Sequence, residues 1–207
     1  MTVLITGANG FVGCSLCERL LRDALSVRGA VRSIGHLKPG VEYCAVGNIS
    51  SETGWSAALK DAQHVVHLAA RVHVMRDKCV EPLAELRRVN GGGTASLAKQ
   101  AADAGVRRFI FVSSIKVNGE STDLRHPFTA ADTPAPQDPY GISKHEAEQS
   151  LRQIAAETGM EVVIIRPPLV YGPGVKANFG SMMRWLERGV PLPFGAVTNN
   201  RRSFVAL

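Results

Sequence analysis

The segment that most constrains the fold of this chain is Thr6-Gly7-Ala8-Asn9-Gly10-Phe11-Val12-Gly13, which directly follows the apolar run Val3-Leu4-Ile5. Glycines three residues apart, between a strand and a helix, permit a tight turn, let the backbone approach a pyrophosphate and let helix and strand pack closely. The diphosphate of a dinucleotide would then meet the positive end of the helix. The pattern predicts a dinucleotide-binding unit, with cofactor contacts from Gly7, Asn9, Gly10, Phe11, Val12 and Gly13.

Short apolar runs alternate with helical segments through most of the chain. Strands are predicted at residues 3–6, 26–32, 42–46, 64–68, 107–113 and 161–166, and helices at residues 10–22, 55–59, 83–104 and 140–158. Several of these strands lack polar alternation, which is typical of strands covered on both faces, and repeated strand–helix–strand units produce a parallel sheet. We therefore expect an α/β fold, a Rossmann-type doubly wound parallel sheet, over residues 1–167.

The character of the sequence changes after residue 166. Prolines and glycines are frequent in residues 167–174, which predicts a turn-rich connection, and a helix is predicted at residues 178–188 before a terminal strand. We interpret residues 168–207 as the beginning of a small substrate-binding domain.

The net charge of +6 is concentrated near the carboxyl end, where residues 160–207 contain six basic residues against two acidic ones. The sequence contains no run of Lys and Arg with interleaved aromatic residues, of the kind that binds nucleic acid. A local positive surplus fits a diphosphate-bearing small molecule instead. Because the sequence contains neither a signal peptide nor an apolar run of about 18 residues, we expect no membrane partner and a cytoplasmic protein.

Cysteine and histidine positions do not indicate a metal site or a disulfide framework. Cys14 and Cys17 fall in the first predicted helix, and no second pair of ligands has the spacing of a zinc site. His64, His67 and His73 lie in or beside an apolar strand. We predict structural roles for all five residues and no bound metal.

A Tyr-x-x-x-Lys pair, Tyr140 and Lys144, stands at the start of a predicted helix, on one helical face. A lysine ammonium beside a phenol lowers the pKa of the phenol and orients a nicotinamide ribose, so the tyrosine can exchange a proton with the substrate as hydride moves. Ser114 ends a strand, where its hydroxyl can hydrogen-bond the reacting oxygen. The predicted catalytic residues of a nicotinamide-dependent oxidoreductase are therefore Ser114, Tyr140 and Lys144, of which Tyr140 and Lys144 also contact the cofactor.

The end of the second predicted strand lacks the acidic residue that commonly binds the adenosine ribose in NAD enzymes. No Asp or Glu occurs between Asp23 and Glu42, and Arg32 stands at the strand end. The guanidinium of Arg32 could bind the 2′-phosphate of NADP, which would favour NADP over NAD. The alternative is that Arg32 is a surface residue with no role in cofactor binding. The predicted cofactor is NAD or NADP.

Four more motifs lie along the chain with the glycine-rich turn and the Tyr-x-x-x-Lys pair. They are His67-Leu68-Ala69-Ala70, Asn90-Gly91-Gly92-Gly93-Thr94, Phe111-Val112-Ser113-Ser114 and residues 166–174. With them the chain resembles the extended short-chain dehydrogenase/reductase family, in particular its sugar-nucleotide epimerase/dehydratase branch. The resemblance implies cofactor contacts from Leu68, Ala69, Ala70 and Asn90, from Asn48 and Ile49 near the adenine, and from Pro167 near the nicotinamide carboxamide. It also implies that Ser114, Asn178 and Arg202 face the substrate.

Four features depart from the family pattern. Asn48 stands where an aspartate is common, and Asn118 stands where a tyrosine is common. Asn90 is followed by three glycines in a predicted helix, each of which costs about 1 kcal/mol relative to alanine. The chain also ends at Leu207, where the family continues, so we expect a truncated product or fragment that retains most of its cofactor-binding parts.

The resemblance implies hydride chemistry at C4 of a nucleotide-activated hexose, expected to be a UDP-sugar. A 4-epimerase would oxidise C4 and return the hydride to the other face with tightly held NAD. An NADPH-dependent 4-keto sugar-nucleotide reductase would deliver the hydride once, and Arg32 favours that alternative. A 4,6-dehydratase is disfavoured because no Asp-Glu pair follows Ser114.

Two further expectations concern assembly and activity. An inactive, truncated cofactor-binding module is the alternative from a different functional class. A homodimer is expected from the family, in which the helices predicted at residues 83–104 and 140–158 often pair across a two-fold axis.

Overall fold

Six parallel strands form the main sheet of the computed structural model, which describes residues 1–35, 38–72, 81–122, 126–175, 177–192 and 200–207. The strands are β1 Thr2–Thr6, β2 Ser26–Val31, β3 Glu42–Ala45, β4 Ala62–His67, β5 Arg108–Val112 and β6 Glu161–Ile165. Their order is β3-β2-β1-β4-β5-β6, which confirms the predicted Rossmann-type sheet. Because the order reverses between β1 and β4, the carboxyl ends of these two strands border the crevice in which such sheets bind ligands.

Helices accompany the sheet as predicted, with one interruption. They are α1 Phe11–Arg22, α2 Ser56–Leu59, α3 Pro82–Leu86, α4 Gly93–Asp103 and α5 Pro139–Thr158. The single helix predicted at residues 83–104 is instead α3 and α4 joined by a π-helical segment, Arg87–Gly92. Its two glycines have low α-helix propensity, and π segments occur frequently at functional sites. A short 3₁₀ helix, Ile115–Val117, follows β5 and was not predicted.

The start and the end of α5 are both encoded locally. The Asp138 Oδ1 atom accepts the backbone N–H of Gly141 at 2.6 Å, and Pro139 occupies the first helical position. At the other end Gly159 adopts a left-handed conformation with φ of 73°. As a crossover from β5 to β6, α5 begins at the carboxyl edge of the sheet, so its first turn carries Tyr140 to that edge.

The core lies on both faces of the sheet. Leu4 of β1 belongs to a buried cluster with Phe109, Phe111, Leu97 and Leu151, whereas its neighbours in β1 belong to a second cluster that includes Cys17 of α1. Successive side chains of a strand point to opposite faces, and here both faces are covered. This explains why the strands read as uninterrupted apolar runs.

Residues 167–207 form a second compact unit, Pro167–Leu207, which the structure separates from the first unit, Met1–Arg166. It contains β7 Leu169–Tyr171 and β8 Phe204–Ala206, paired in parallel, and α6 Ala177–Glu187. Within residues 167–174, predicted as a turn-rich connection, the structure has the three-residue strand β7, which was not predicted. Three aromatic rings, those of Tyr171, Phe179 and Phe204, lie with their centroids 5.7 to 6.2 Å apart in this unit.

Neither a membrane-spanning helix nor a metal-binding cluster occurs among the described residues. None of the helices in those ranges combines the length and apolar character needed to cross a membrane. Within the same ranges, no three His, Cys, Asp or Glu side chains come together as metal ligands. His73, for which a structural role was predicted, lies outside the described residues.

Candidate active site

The turn between β1 and α1 is shaped by glycine backbone. Gly7 has φ of 68°, and a Cβ atom there would lie 3.0 Å from the backbone nitrogen of Ala69. A Cβ atom at Gly13 would lie 2.2 Å from the carbonyl oxygen of Gly7. That carbonyl also accepts the N–H of Gly10 at 2.8 Å. Side chains at Gly7 and Gly13 are therefore excluded, and the bare backbone that remains is what a pyrophosphate needs for close approach.

A cavity of about 680 Å³ opens beside this turn, at the carboxyl ends of β1, β2 and β4. Its volume is typical of a cofactor site. Predicted cofactor residues that line it are Gly7, Asn9, Arg32, Asn48, Ile49, Ala69 and Ala70. Other predicted cofactor residues of the Met1–Arg166 unit are described but do not line it: Gly10, Phe11, Val12, Gly13, Leu68, Asn90, Tyr140 and Lys144. The sequence did not single out Ser33, Arg71, Glu85 and Arg88, which also contribute to the wall.

Arg32 is an exposed cation in the wall of this cavity. Arg88, by contrast, is paired with Glu85 at 2.7 Å, and Arg71 approaches the same carboxylate at 3.8 Å. Arg32 therefore differs from its neighbours, because no ion pair or hydrogen bond joins its side chain to another residue in the described ranges. A free guanidinium at the end of β2 is suited to a phosphate.

The loop after β4 is fixed by a buried threonine that the sequence reading missed. The Thr6 Oγ1 atom accepts the N–H groups of Leu68 and Ala69 at 3.2 and 3.1 Å, so its own proton is directed to the Nδ1 atom of His67, 2.6 Å away. The Nε2 atom of His67 must then carry the ring proton and donate to Thr94 Oγ1 at 2.9 Å. Burial, with a smaller effect of the Lys144 charge, lowers the pKa of His67 to about 3. His67 is therefore neutral and structural, which agrees with its predicted role.

Asn90, predicted as a cofactor contact, is buried behind the loop instead. Its Oδ1 atom accepts the N–H of Arg71 at 2.8 Å, and its Nδ2 group donates to the carbonyl of Arg71 and to Ser143 Oγ, both at 3.0 Å. The amide is thus fully used in joining the π-helical segment, the loop after β4 and α5. Gly93 of the following glycine run is required by packing, since a Cβ atom there would lie 2.5 Å from Ile49 Cγ2.

The predicted catalytic residues belong to elements that meet at the carboxyl end of β5. Ser114 follows β5, and its Oγ atom accepts the N–H of Lys116 at 3.3 Å, capping the 3₁₀ helix. Tyr140 is half-buried in the first turn of α5. A Cβ atom at Gly141 would lie only 2.8 Å from the carbonyl oxygen of Lys116. The 3₁₀ helix and the first turn of α5 therefore pack directly against each other.

Lys144 is fully buried, with its Nζ atom 4.1 Å from the centre of the Phe111 ring. Burial lowers the pKa of Lys144 to about 7, and the negative charge of Glu148 opposes that shift. Among the residues that the structure describes, none forms an ion pair or hydrogen bond with the Nζ atom of Lys144. A buried lysine in such surroundings is costly, and such groups concentrate at functional sites.

The expectation that Lys144 lowers the pKa of Tyr140 was wrong for this arrangement. Burial, and then the negative charge of Asp138, raises the pKa of the Tyr140 phenol above its ordinary value, and the cation that opposes this is Lys116. Asp138 and Lys116 are joined by an ion pair of 2.5 Å. The charges that act on Tyr140 therefore come from its own helix cap and from the 3₁₀ helix.

A buried carboxylate one turn beyond Lys144 was also missed. Glu148 accepts hydrogen bonds from Ser113 Oγ at 2.6 Å, from the Nη2 atom of Arg166 at 2.6 Å and from Arg152 at 3.0 Å. Burial raises its pKa, but the hydrogen bonds from Arg166 and Ser113 outweigh that effect and hold the pKa below its ordinary value. Arg166 also donates to Asn118 Oδ1 at 3.1 Å, so the asparagine that replaces the family's usual tyrosine takes part in this network.

Three predicted residues belong to the second unit. Pro167 is its first residue, and Arg202 is exposed just before β8. Asn178 is part of α6, but its side chain lies outside the described residues. The cofactor role of Pro167 and the substrate roles of Asn178 and Arg202 stay predictions.

A comparison with known families supports what the geometry suggests. The family model described as the NAD dependent epimerase/dehydratase family matches residues 3–205. The chain belongs to this family.

Relatives within the NAD dependent epimerase/dehydratase family include UDP-glucose 4-epimerase of Vibrio cholerae, which is 52% identical over 207 residues. That match covers 100% of this chain and 63% of the relative, so the chain spans less than two thirds of the relative's length. Two solved structures cover all of this chain at 26% identity: UDP-glucuronic acid 4-epimerase from Bacillus cereus in complex with UDP-glucuronic acid and NAD (TM-score 0.83), and UDP-glucose 4-epimerase from Thermotoga maritima with UDP-glucose (TM-score 0.82). This chain corresponds to 69% of each of those two chains.

Proposed function

We propose that this chain carries the catalytic part of an NAD-dependent epimerase that acts at C4 of a nucleotide sugar, with a UDP-hexose as its substrate. The observation that carries the proposal is Lys144, a fully buried lysine one helical turn beyond Tyr140. Retaining that lysine lowers stability, and the Tyr-x-x-x-Lys pair gives it a chemical use. The UDP-sugar and NAD in the complex of the Bacillus cereus enzyme support the choice of ligands.

The residues around the cavity fit a dinucleotide. The glycine turn offers a backbone cradle in which a Cβ atom has no room, and Asn48 and Ile49 lie in the wall beyond β2, where the adenine is expected. We assign the cofactor diphosphate to the β1–α1 turn. Leu68, Ala69 and Ala70 would line the other side of the diphosphate and the adjoining ribose. Tyr140, Lys144 and Pro167 would face the nicotinamide half.

The acid–base chemistry follows from the three polar side chains near β5. NAD, when bound, supplies a hydride acceptor for C4. Tyr140 in its anionic form takes the proton of the C4 hydroxyl and later returns it, while Ser114 donates a hydrogen bond to the reacting oxygen. Lys144, one helical turn beyond Tyr140, would donate a hydrogen bond to the nicotinamide ribose of the cofactor.

A second candidate is an NADPH-dependent reductase of a 4-keto sugar nucleotide. The observation that favours it is the exposed Arg32 in the cavity wall, together with the absence of Asp and Glu between Asp23 and Glu42. An inactive cofactor-binding module is the third candidate.

The experiment that tests these candidates begins with identification of any nucleotide that denatured, freshly purified protein releases. Interconversion of UDP-glucose and UDP-galactose is then assayed with NAD, and reduction of a 4-keto UDP-sugar is assayed with NADPH. Tyr140→Phe should reduce turnover by about 100-fold or more and leave nucleotide binding unchanged. Tyr43→Phe, which removes a phenol outside the cavity, is the matched control.

Each outcome selects one candidate. Released NAD and epimerisation support the first proposal, an empty site and NADPH-driven reduction support the second, and nucleotide binding without turnover supports the third. Full activity of Tyr140→Phe would refute the mechanism. The homodimer and the cytoplasmic location stay predictions of the sequence.

A further inference from the structure

Two charged side chains in the wall of the cavity of about 680 Å³ form an ion pair that the sequence did not suggest. Glu85 of α3 and Arg88 of the π-helical segment both line this cavity. The Arg88 guanidinium donates from Nε to Glu85 Oε2 and from Nη2 to Glu85 Oε1, both at 2.7 Å. Two parallel hydrogen bonds fix the orientation of both side chains, so the carboxylate is held at the cavity wall.

The carboxylate of Glu85 is surrounded by arginines. The Nη1 atom of Arg71 lies 3.8 Å from Glu85 Oε1, and the backbone of Arg71 is joined to the side chain of Asn90 at both its N–H and its carbonyl. The loop after β4 and the π-helical segment therefore form one wall. Among the described residues that line the cavity, the charged groups are three arginines, the third being Arg32, and the single carboxylate of Glu85. Glu85 is consequently the group that limits the positive charge of this wall.

Both members of the pair are ionised at neutral pH. The hydrogen bonds from Arg88 lower the pKa of the Glu85 carboxyl below its ordinary value, although burial acts in the opposite direction. Opposite charges at hydrogen-bond distance largely cancel at the position of a third charge farther away. Arg88 therefore adds little net attraction for an anion in the cavity while Glu85 is charged.

The preceding arginine forms the same kind of pair outside the cavity. Arg87 donates from Nε to Glu146 Oε2 at 2.9 Å and from Nη2 to Glu146 Oε1 at 2.6 Å, and neither residue lines the cavity. The side chains of the two pairs are exposed to similar extents. The pairs thus match in chemistry and differ in whether they face the cavity, so a comparison between them separates an effect on a ligand from an effect on the fold.

We propose that Glu85 is a specificity-determining residue of the cavity: by offsetting the charge of Arg88 and, more weakly, of Arg71, it makes the cavity favour NAD over NADP. The 2′-phosphate of NADP adds about two negative charges near pH 7, so NADP gains more than NAD from any positive charge in the wall. Arg32 attracts that phosphate, and Glu85 opposes the attraction. For the identity of the ligand this inference rests on the proposed function, and it names the cofactor that the site prefers.

The test is isothermal titration calorimetry of the full chain, freed of bound nucleotide, with NADH and with NADPH. These two ligands differ only in the 2′-phosphate, so the ratio of their affinities isolates its effect. The variants are Glu85→Gln, which keeps the shape of the side chain and releases the charge of Arg88, and Arg88→Met, which leaves the charge of Glu85 without its partner. Glu146→Gln and Arg87→Met are the matched controls, because they make the same changes in the pair outside the cavity.

We expect Glu85→Gln to raise the affinity for NADPH relative to NADH by about fivefold at low ionic strength, and by less at high ionic strength because salt screens the added charge. Arg88→Met should shift the same ratio in the opposite direction, and each control should change it by less than about twofold. A purely structural role of the pair would weaken both nucleotides alike in both variants. The inference is overturned if Glu85→Gln leaves the ratio unchanged, if the two cavity variants shift it in the same direction, or if the controls shift it equally.

This measurement needs neither a sugar substrate nor turnover. A chain that binds NADH but has no epimerase activity would refute the proposed function and leave the comparison of the two nucleotides intact. A wild-type chain that binds neither nucleotide would overturn this inference together with the cofactor site. Circular dichroism establishes that each variant is folded, and Arg88→Met tests the same pair with the opposite sign if Glu85→Gln does not fold.

Discussion

The turn from Gly7 to Gly13 is shaped by backbone atoms, whereas the region around Tyr140 is shaped by charged side chains, of which Lys144 and Glu148 are buried. In the turn, the tightest distance is the 2.2 Å that would separate a Cβ atom at Gly13 from the carbonyl of Gly7. In the second region, the decisive quantities are the burial of Lys144 and the ion pair between Lys116 and Asp138. The two regions belong to one unit of the chain, Met1–Arg166.

This difference determines how each region should respond to change. A site made of backbone is intolerant of added volume and insensitive to pH, because no titratable group is involved. A site made of buried charge tolerates changes of similar shape but depends on protonation. Substitutions in the two regions can therefore be used to test whether the distinction holds.

The largest effect is expected for Gly13→Ala. The added methyl group meets backbone atoms of Gly7 and Ala8 that cannot move independently, so unfolding free energy should fall by about 3 kcal/mol or more and nucleotide binding should be lost. Gly91→Ala is the control, because nothing lies within 4 Å of its added Cβ atom and a change of less than about 1 kcal/mol follows. Urea denaturation at two pH values measures both variants. A pH-dependent loss in Gly13→Ala would contradict the assignment of this turn to backbone packing.

Lys144→Met should have the next largest effect on the free energy of unfolding, and it should raise that free energy where Gly13→Ala lowers it. The pKa of Lys144 falls from an ordinary 10.5 to about 7, so between these pH values the unfolded chain binds a proton that the folded chain does not. Stability therefore rises with pH across this window and is lowest where the folded protein must bury the charge. The methionine removes that dependence and should stabilise the protein by about 1–3 kcal/mol near neutral pH, while abolishing turnover.

Urea denaturation at about pH 7 and about pH 10 checks this prediction. Lys99→Met, at an exposed position of α4, is the control for loss of one positive charge. Equal stability changes at the two pH values would indicate that Lys144 is charged throughout, and the distinction between the two regions would lose its main support.

Thr6→Val tests the junction between the two regions, because the Thr6 hydroxyl orders the loop that lines the cavity and orients His67. Valine has nearly the same shape but leaves the N–H groups of Leu68 and Ala69 without their acceptor. A loss of about 2 kcal/mol is expected, and it should not depend on pH near pH 7, because folded His67 with a pKa of about 3 is neutral there and the unfolded chain titrates alike with Thr6 or Val at this position. Thr6→Ser keeps the hydroxyl and should lose only about 1 kcal/mol. An equal loss in both variants would mean that the hydroxyl contributes no more to stability than the methyl group, and no loss in Thr6→Val would mean that its hydrogen bonds do not matter at this position.

Sequence patterns predicted the parts of the molecule that depend on near neighbours. The spacing of Gly7, Gly10 and Gly13 and the four-residue step from Tyr140 to Lys144 are local, and the structure contains the elements they imply. Networks that join distant positions left no such pattern. Glu148 meets Ser113 across 35 residues, and Thr6 meets His67 across 61.

The corrections have the same origin. The cofactor contact of Asn90 was implied by the resemblance to the family, but the partners of its side chain lie 19 and 53 residues away and became visible only in the fold. The charge acting on Tyr140 was assigned to Lys144, its neighbour on the helix, because Lys116 is 24 positions earlier in the chain. Strand β7 is three residues long and is flanked by proline and glycine, so its pairing with β8 has no signature within the segment itself.

The smallest effect is expected for Arg32. At this residue a side-chain charge, and not the backbone, would decide whether the cavity prefers NADPH to NADH. If Arg32 binds a 2′-phosphate, Arg32→Ala should weaken NADPH binding by about tenfold or more and leave NADH binding unchanged, because only the first ligand carries that phosphate. Isothermal titration calorimetry with both nucleotides measures the two affinities directly. Arg107→Ala, an exposed arginine next to the amino end of β5, corrects for the general loss of positive charge. Equal weakening of both nucleotides, or of neither, would leave Arg32 as a surface residue and make the nucleotide end a site of backbone recognition throughout.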